Sequence, residues 1–336
     1  MNTIAQKPAI EEGCFVQHVI AHPDGILAVD VEPGHAGRAA VHFIIHRGQV
    51  AIVDSGTNAS VPGILAALGQ AGVGVADVTW VILTHIHLDH AGGVGRLMRH
   101  LPAARLLVHP RGVRHMIDPG RLWEANARVY GEEQARALYG VLEPVAPERI
   151  VAATEGYEVA LGDRVLRVLD LPGHTRHHIG LWDEAARAFF AGDTFGVSYR
   201  ELDVERRSFV FPSTMPSEFD PDALHASIER IRALQPEAVY LGHFSRVSGV
   251  ERLTADLHRL IDAQVAVARA ARGHGVARHV EIIGGLEQIV RDETERQGWA
   301  LDNEAAIALL RLDLDMNAHG LGVWLDRCPA PGSVAA

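Results

Sequence analysis

Short apolar runs bounded by turn-forming residues recur along the chain as far as about residue 242. Such runs, flanked by glycine, proline or aspartate, predict β-strands, and they fall at residues 26–31, 40–46, 49–54, 78–83, 105–109, 165–171, 188–191 and 238–241. Apolar residues at helical spacing predict helices between them, at residues 61–71 and 95–100. The alternation of strands and helices indicates a layered α/β architecture.

The pattern changes after residue 250, where helical spacing continues without strand-like runs. Leu253, Leu257, Leu260 and Ile261 have the spacing of one buried helix face. We therefore predict three further helices, at residues 251–272, 279–297 and 303–317. The chain is predicted to contain an α/β domain, an all-α C-terminal extension and a flexible tail, at residues 1–250, 251–327 and 328–336.

Two segments of the α/β part have patterns of their own. Residues 122–139 have helical spacing, so one helix is predicted there, either covering a functional site or packed on the surface through its aromatic residues. Residues 195–219 mix aromatic, arginine and proline residues without clear periodicity. Long irregular loops often form the rim of a site, and a solvated connector is the alternative.

Side chains that can bind a metal are concentrated where the predicted strand at residues 78–83 ends. Residues 84–90 read Thr-His-Ile-His-Leu-Asp-His. In an extended segment His85 and His87 point the same way, and a turn at the next residue would bring Asp89 and His90 beside them. Divalent metals such as zinc bind imidazole nitrogen and carboxylate oxygen. The sequence therefore predicts a metal site here, whereas any one of these residues alone would be read as an ordinary surface residue.

Net charge, cysteine content and the lengths of the apolar runs limit the possible partners and cellular location of the protein. The formal net charge of −11 argues against a nucleic-acid partner, because phosphate binding needs a basic surface. The two cysteines, Cys14 and Cys328, lie near opposite ends, so no disulfide framework is expected and a reducing compartment fits. No run approaches the roughly 18 apolar residues of a membrane span, and the first residues lack a signal core. We therefore predict a cytoplasmic protein without membrane contact.

The order His-x-His-x-Asp-His resembles the signature of the metallo-β-lactamase superfamily. The resemblance implies a four-layered αββα sandwich of two mixed β-sheets flanked by helices. It also implies further motifs in a set order, each after a predicted strand: Asp54, the Pro-Gly-His turn ending in His174, Asp193, and the Gly-His pair ending in His243. Asp54 would orient a ligand histidine by its far nitrogen; a turn aspartate bonding its own backbone is the alternative.

The resemblance also implies a ligand set for two divalent ions, zinc first, with iron or manganese as alternatives. One ion would be held by His85, His87 and His174, the other by Asp89, His90 and His243, with Asp193 shared between them. A hydroxide bridging the ions would then attack a small ester, lactone or thiolester. Asp89 could also accept a proton, Tyr199 could stabilise an oxyanion, and His178 would support the ligands.

Several alternatives stay open. Antibiotic-cleaving members of the family carry a cysteine or a non-bridging residue where Asp193 stands, so the set resembles the glyoxalase II, lactonase and phosphodiesterase branches. Besides the leading hydrolase hypothesis, phosphodiester or phosphonate hydrolysis, a di-iron redox enzyme and a non-catalytic metal-bound sensor are possible functions. The expected partner is a small-molecule substrate. The helical extension could cap the site, pack on the α/β domain or mediate a homodimer.

Overall fold

Two mixed β-sheets form the centre of the fold in the computed structural model, which describes residues 18–31, 36–215 and 218–328. The first sheet has seven strands in sequential order. Its strands are β1 (Val19–His22), β2 (Ile26–Asp30), β3 (Ala40–His46), β4 (Gln49–Val53), β5 (Val78–Ile82), β6 (Arg105–Val108) and β7 (Ile150–Ala152). Neighbours from β1 to β4 pair antiparallel, and neighbours from β4 to β7 pair parallel.

The second sheet has six strands in the order β13-β12-β11-β10-β9-β8. They are β8 (Glu158–Leu161), β9 (Arg164–Asp170), β10 (Ile179–Asp183), β11 (Ala188–Gly192), β12 (Ala238–Leu241) and β13 (Ser245–Val247). Only β11 and β12 pair parallel, and the other neighbours pair antiparallel. Every residue of β10, β11 and β12 is buried, and burial on both faces explains why β11 and β12 read as continuous apolar runs.

Helices cover the outer faces of both sheets. Those of the α/β part are α1 (Val61–Gln70), α2 (Leu88–Ala91), α3 (Val94–His100), α4 (Val113–Ile117), α5 (Gly120–Tyr130), α6 (Glu132–Tyr139) and α7 (Pro221–Ala233). Short 3-10 turns lie at Pro23–Gly25, Pro147–Arg149 and Arg200–Leu202. The chain then continues with α8 (Val250–Ala270), α9 (Val276–Gln297), α10 (Asn303–Leu309) and α11 (Arg311–Arg327).

The inner faces of the two sheets pack against each other. Ile44, Ile82 and Leu107 of the first sheet share one buried cluster with Val168 and Phe190 of the second. Successive strand side chains point to opposite faces, so each sheet also has an outer apolar face. The outer face of the first sheet packs against α1 and α3, and that of the second packs against α7 and the C-terminal helices. The order helix, sheet, sheet, helix confirms the predicted fold class.

The helical extension is an outer layer of the second sheet. Phe189 and Val239 of that sheet lie in the same buried cluster as Leu253, Leu257 and Leu314 of the extension. Of the roles left open by the sequence, the structure therefore shows packing on the α/β part. A homodimer through these helices and the domain boundaries themselves stay predictions.

Two helices predicted as continuous are broken. The single helix predicted over residues 122–139 is wrong: Gly131 has a φ of 83° between α5 and α6, a value that an α-helix cannot contain. The helix predicted over residues 303–317 is also wrong, because the chain turns at Leu310 between α10 and α11. Buried residues lie on both sides of the break at Leu310, so the apolar pattern alone did not reveal that break.

The described part of the irregular segment, residues 195–215 and 218–219, is packed between the second sheet and the extension. Phe195, Phe209 and Phe211 are buried, so the alternative of a solvated connector is wrong for this segment. Asn317 of α11 accepts a hydrogen bond from the Thr214 N–H at 2.8 Å. A side chain at Gly320 would overlap the Thr214 carbonyl, so glycine permits this close approach of helix and loop.

One of the two cysteines and most of the predicted flexible tail lie outside the residues that the structure describes. Cys14 and the tail from residue 329 onward lie outside the described ranges, whereas Cys328 is exposed. Among the described residues, no helix is long and apolar enough to pass through a membrane.

Candidate metal centre

The metal-binding residues predicted from the sequence follow strand ends in both sheets. In the first sheet, Asp54 comes directly after β4 and His85 soon after β5. In the second sheet, His174 follows β9, Asp193 follows β11 and His243 follows β12. Because the two sheets are stacked with these ends on one side, the structure brings the residues into a single group of polar side chains.

Three imidazoles form the first cluster of candidate ligands. The Nδ1 atom of His87 lies 3.0 Å from Nε2 of His85 and 3.2 Å from Nε2 of His174. Nitrogens bound to one tetrahedral zinc at 2.0–2.1 Å would stand about 3.3 Å apart. The spacing of this cluster therefore fits one cation.

Two imidazoles and a carboxylate form the second cluster. His90 and His243 face each other through their Nε2 atoms at 3.2 Å. The Oδ2 atom of Asp89 lies 3.2 Å from Nε2 of His243 and 3.5 Å from Nε2 of His90. These three donor atoms converge in the same way as those of the first cluster.

The carboxylate of Asp193 lies between the two clusters. Its Oδ1 atom is 3.3 Å from Nε2 of His90 and 3.8 Å from Nε2 of His243. Its Oδ2 atom is 3.6 Å from Nε2 of His174. Oδ1 is buried and has no hydrogen-bond partner among the described residues. One side chain thus offers an oxygen to each cluster.

Asp54 fixes the orientation of two of these histidines. Its Oδ2 atom accepts a hydrogen bond from His90 Nδ1 at 2.9 Å. Its Oδ1 atom accepts from the backbone N–H and the hydroxyl of Thr84, at 2.8 Å and 3.0 Å. The Thr84 hydroxyl donates its hydrogen to Asp54, so the hydroxyl oxygen of Thr84 can accept a hydrogen bond from His85 Nδ1 at 3.1 Å. Asp54 therefore lies behind the candidate ligands His85 and His90.

Backbone carbonyls hold two further histidines. His174 Nδ1 donates to the Ser213 carbonyl at 3.1 Å, and His243 Nδ1 donates to the Arg38 carbonyl at 2.8 Å. Because a carbonyl only accepts, these nitrogens carry the hydrogen, and in the neutral rings the opposite nitrogens carry lone pairs. Lone pairs that face each other at about 3 Å repel unless a cation lies between them. The chemistry of the donor set therefore fits bound metal ions.

The two clusters differ in electrostatics. Burial lowers the pKa of His85, His87 and His174, which favours the neutral imidazole that a metal requires. Burial acts in the same direction on His243, but the carboxylates of Asp193 and Asp89 overcome it and raise the pKa of His243 to about 9. Metal binding at the second cluster would therefore displace protons.

Comparison with known proteins places this fold and these residues in one family. A model of the metallo-β-lactamase superfamily matches residues 36–243. The chain belongs to the metallo-β-lactamase superfamily. The match begins just before Arg38 and ends on His243, so it includes every candidate ligand named above.

Several relatives in this superfamily are similar to the chain. A hydroxyacylglutathione hydrolase of Methylobacterium sp. (strain 4-46) is 28% identical over 54% of this chain and 52% of its own length. An acyl-coenzyme A thioesterase, MBLAC2 of Gallus gallus, is 31% identical over 42% of this chain and 52% of its own length. The chain thus spans about half the length of these curated relatives.

A solved structure extends the likeness in fold. The archaeal metallo-β-lactamase superfamily protein ST1585 from Sulfolobus tokodaii superposes with a TM-score of 0.62 and 21% identity. The superposition covers 88% of this chain and 98% of that protein. The likeness therefore concerns the metallo-β-lactamase fold over most of both chains.

His178 lies against the ligands but is bonded to the protein through both ring nitrogens. Its Nε2 atom accepts from the Asp193 N–H at 3.2 Å, and its Nδ1 atom lies 3.1 Å from the Thr194 hydroxyl. The ring stacks on that of His85, with centroids 4.9 Å apart. These contacts hold His178 beside the carboxylate of Asp193.

Tyr199 connects the site to the helical extension. Its hydroxyl donates to the carboxylate of Asp313 on α11, with both oxygens at 3.1 Å. The guanidinium of Arg38 lies over the tyrosine ring, 4.1 Å from its centroid. Burial raises the pKa of Tyr199 well above its usual value and raises the pKa of Asp313 to about 6.

Sequence reasoning missed three residues that take part in the site. Ser213 and Arg38 act through their backbone carbonyls. Every residue type has such a carbonyl, so the sequence does not reveal these contacts. Asp313 is one of three aspartates in α11 and lies 114 positions beyond its partner Tyr199. Only the packing of the extension on the second sheet brings it near the site.

Proposed function

We propose that this chain is a metal-dependent hydrolase with two ions in one centre, acting on a small ester, lactone or thiolester. The observation that carries the proposal is the position of Asp193, which directs one buried oxygen to each of two donor clusters. A single carboxylate can in this way hold two cations at the roughly 3.5–4 Å used in two-metal catalysis.

The proposed ligands are divided between the two ions. The first ion would bind His85, His87 and His174, the second would bind Asp89, His90 and His243, and Asp193 would bridge them. Imidazole nitrogen and carboxylate oxygen suit zinc, which we propose as the metal, with iron or manganese as alternatives.

The chain's own residues hold the parts of this reaction in place. Bound cations would supply a polarised substrate oxygen and a water of lowered pKa. The Asp89 side chain is 33% exposed, against 5% for Asp193, so Asp89 is the carboxylate that a substrate can approach and the proposed proton acceptor. Asp54 and the two backbone carbonyls keep the histidine rings oriented.

The substrate class is proposed from the relatives. Two of them are named for cleaving acyl derivatives of glutathione and coenzyme A, both of which are thiols, and this favours a thiolester. The same two ions could also support phosphodiester or phosphonate hydrolysis, since two-metal sites serve both reactions. We place that reaction second because no described feature favours it over acyl transfer.

A substrate panel tests the proposal. Purified protein is assayed on thiolesters, lactones, aryl esters and phosphodiesters, with metal content measured on the same batch. We expect hydrolysis of one of the three carbonyl classes by protein that carries close to two ions per chain. Turnover of phosphodiesters alone would contradict the substrate class, and full turnover by metal-free protein would contradict the mechanism.

The Tyr199–Asp313 contact gives a second prediction. The change Tyr199→Phe removes a buried hydrogen bond to a carboxylate, which contributes about 1.5–3 kcal/mol. We expect a fall of that order in the free energy of unfolding, together with a higher KM and an unchanged metal content, because the contact ties α11 to the site. Chemical denaturation and steady-state kinetics measure these effects.

Tyr157→Phe is the matched control, since Tyr157 lies beside the core between the two sheets and should change neither quantity. If Tyr199→Phe had wild-type stability and wild-type KM, the extension would have no energetic link to the site through this residue.

A further inference from the structure

A second group of histidines and carboxylates lies between α7 and α8, outside the metal centre. His225 and Glu229 stand four residues apart on α7, and His258 and Asp262 stand four residues apart on α8. Residues at this spacing lie on the same face of a helix. The two helices therefore present one histidine and one carboxylate each to the same interface.

The two imidazoles face each other directly. Nδ1 of His225 lies 2.5 Å from Nδ1 of His258, and the ring centroids are 4.8 Å apart. The opposite nitrogens reach the carboxylates of the other helix. Nε2 of His225 lies 3.2 Å from Oδ1 of Asp262, and Nε2 of His258 lies 2.8 Å from Oε1 of Glu229.

This arrangement fixes which nitrogens carry hydrogen. Glu229 is also bound by the Arg232 guanidinium at 2.9 Å, so its carboxylate is ionised and can only accept. An ionised Asp262 likewise can only accept. Both Nε2 atoms therefore donate, and both Nδ1 atoms present lone pairs to each other at 2.5 Å. Two lone pairs at this distance repel strongly, so a positive charge between the rings, either a proton or a metal ion, is needed to hold them together.

We infer that His225 and His258 form a binding site for a divalent transition-metal ion, with their Nδ1 atoms as ligands. Imidazole favours zinc, nickel and copper among such ions. The histidines would keep their contacts to Glu229 and Asp262, which is the usual arrangement of a carboxylate behind a metal-bound histidine.

The surroundings admit an ion. The two histidine side chains are 26% and 25% exposed, so the ion can enter and complete its coordination with water. A tetrahedral zinc would place the two nitrogens about 3.3 Å apart. The two nitrogens, 2.5 Å apart in the structure, would have to separate by less than one ångström, and each ring would have to turn so that its lone pair points to the ion.

The site would join the extension to the helix behind a proposed catalytic ligand. α7 begins against the turn that carries His174: the Asp220 N–H donates to the Gly173 carbonyl at 2.8 Å, and the Ser227 hydroxyl donates to the Pro172 carbonyl at 2.6 Å. α8 is the first helix of the extension. A metal bound by both helices would therefore cross-link these two parts of the fold.

Titration with zinc tests the site. Protein that carries its catalytic metals is dialysed against metal-free buffer and titrated with Zn²⁺ alone, and bound ions per chain are counted. We expect the wild type to bind one ion more than His225→Ala or His258→Ala. Asp262→Ala should keep the site but weaken its affinity about 10- to 100-fold. His100→Ala, which removes an exposed histidine of α3, is the matched control and should bind like the wild type.

A measurement on the wild type alone guards against variants that fail to fold. Zinc-soaked crystals should show an anomalous scattering peak between His225 and His258. Zinc should also raise the thermal midpoint of the wild type, because a ligand that binds only the native state stabilises it. The inference is overturned if the wild type binds no additional ion, in which case a shared proton separates the rings, or if His258→Ala binds as many ions as the wild type.

Discussion

Replacement of Asp193 by alanine is expected to lower kcat by at least about 10²–10³-fold, the loss seen when one preorganised electrostatic group is removed from an active site. The variant should also bind both metal ions more weakly. The reason is geometric: one oxygen of this carboxylate lies near His90 and His243, and the other lies near His174. A single substitution therefore removes a donor from both clusters.

Comparison with His87→Ala makes this prediction specific. The Nδ1 atom of His87 lies in the first cluster, at 3.0 Å and 3.2 Å from its neighbours. We expect His87→Ala to retain the ion of the second cluster and Asp193→Ala to lose affinity for both. Metal content after gel filtration, with kcat on the best substrate of the panel, measures the difference. Two tightly bound ions and normal turnover in Asp193→Ala would exclude a bridging role.

The positions of the candidate ligands could be predicted because they follow strands that the apolar pattern reveals. The strand at Val78–Ile82 leads into His85, and the strand at Ala238–Leu241 leads into His243. In a layered α/β fold such strand ends meet on one side, so residues far apart in sequence become neighbours. The family resemblance supplied their order, and the structure brings them within 4.8 Å of one another in groups.

The parts of the fold that escaped prediction have weaker local signals. Val19–His22, Ile150–Ala152 and Ser245–Val247 are short strands at or near sheet edges, where few residues carry the pattern. Ile179–Asp183 ends in a buried aspartate. That carboxylate is paired with the buried guanidinium of Arg164, a contact between two strands that no single run of residues shows.

The two histidine groups of this chain illustrate the limits of sequence analysis. The metal centre was predictable because four donor residues lie within six positions, from His85 to His90. His225 and His258 are separated by 33 positions, and each lies in an ordinary amphipathic helix. Their proximity depends on the crossing of α7 and α8, so only the three-dimensional structure reveals it.

Substitution of Asp54 by asparagine is expected to weaken metal binding at the second cluster about 10- to 100-fold, the usual effect of changing a residue behind a metal-bound histidine. The carboxylate now accepts from His90 Nδ1, the Thr84 N–H and the Thr84 hydroxyl. An amide of the same shape would turn an NH₂ group towards one of these donors. His90 would then lose the acceptor that directs its Nε2 atom to the metal.

The backbone of Asp54 decides which variants are informative. Its φ of 66° lies in the left-handed region, which asparagine and glycine adopt more readily than alanine. Asp54→Asn therefore tests the charge without added strain, and Asp54→Gly removes the side chain while easing the backbone. We expect both variants to bind metal more weakly than wild type in competition with a chelator, with the glycine variant less stable to denaturant because Thr84 and His90 lose their shared acceptor. If Asp54→Asn kept wild-type affinity, His90 would be oriented by its packing alone, and the carboxylate would serve only to satisfy the Thr84 turn.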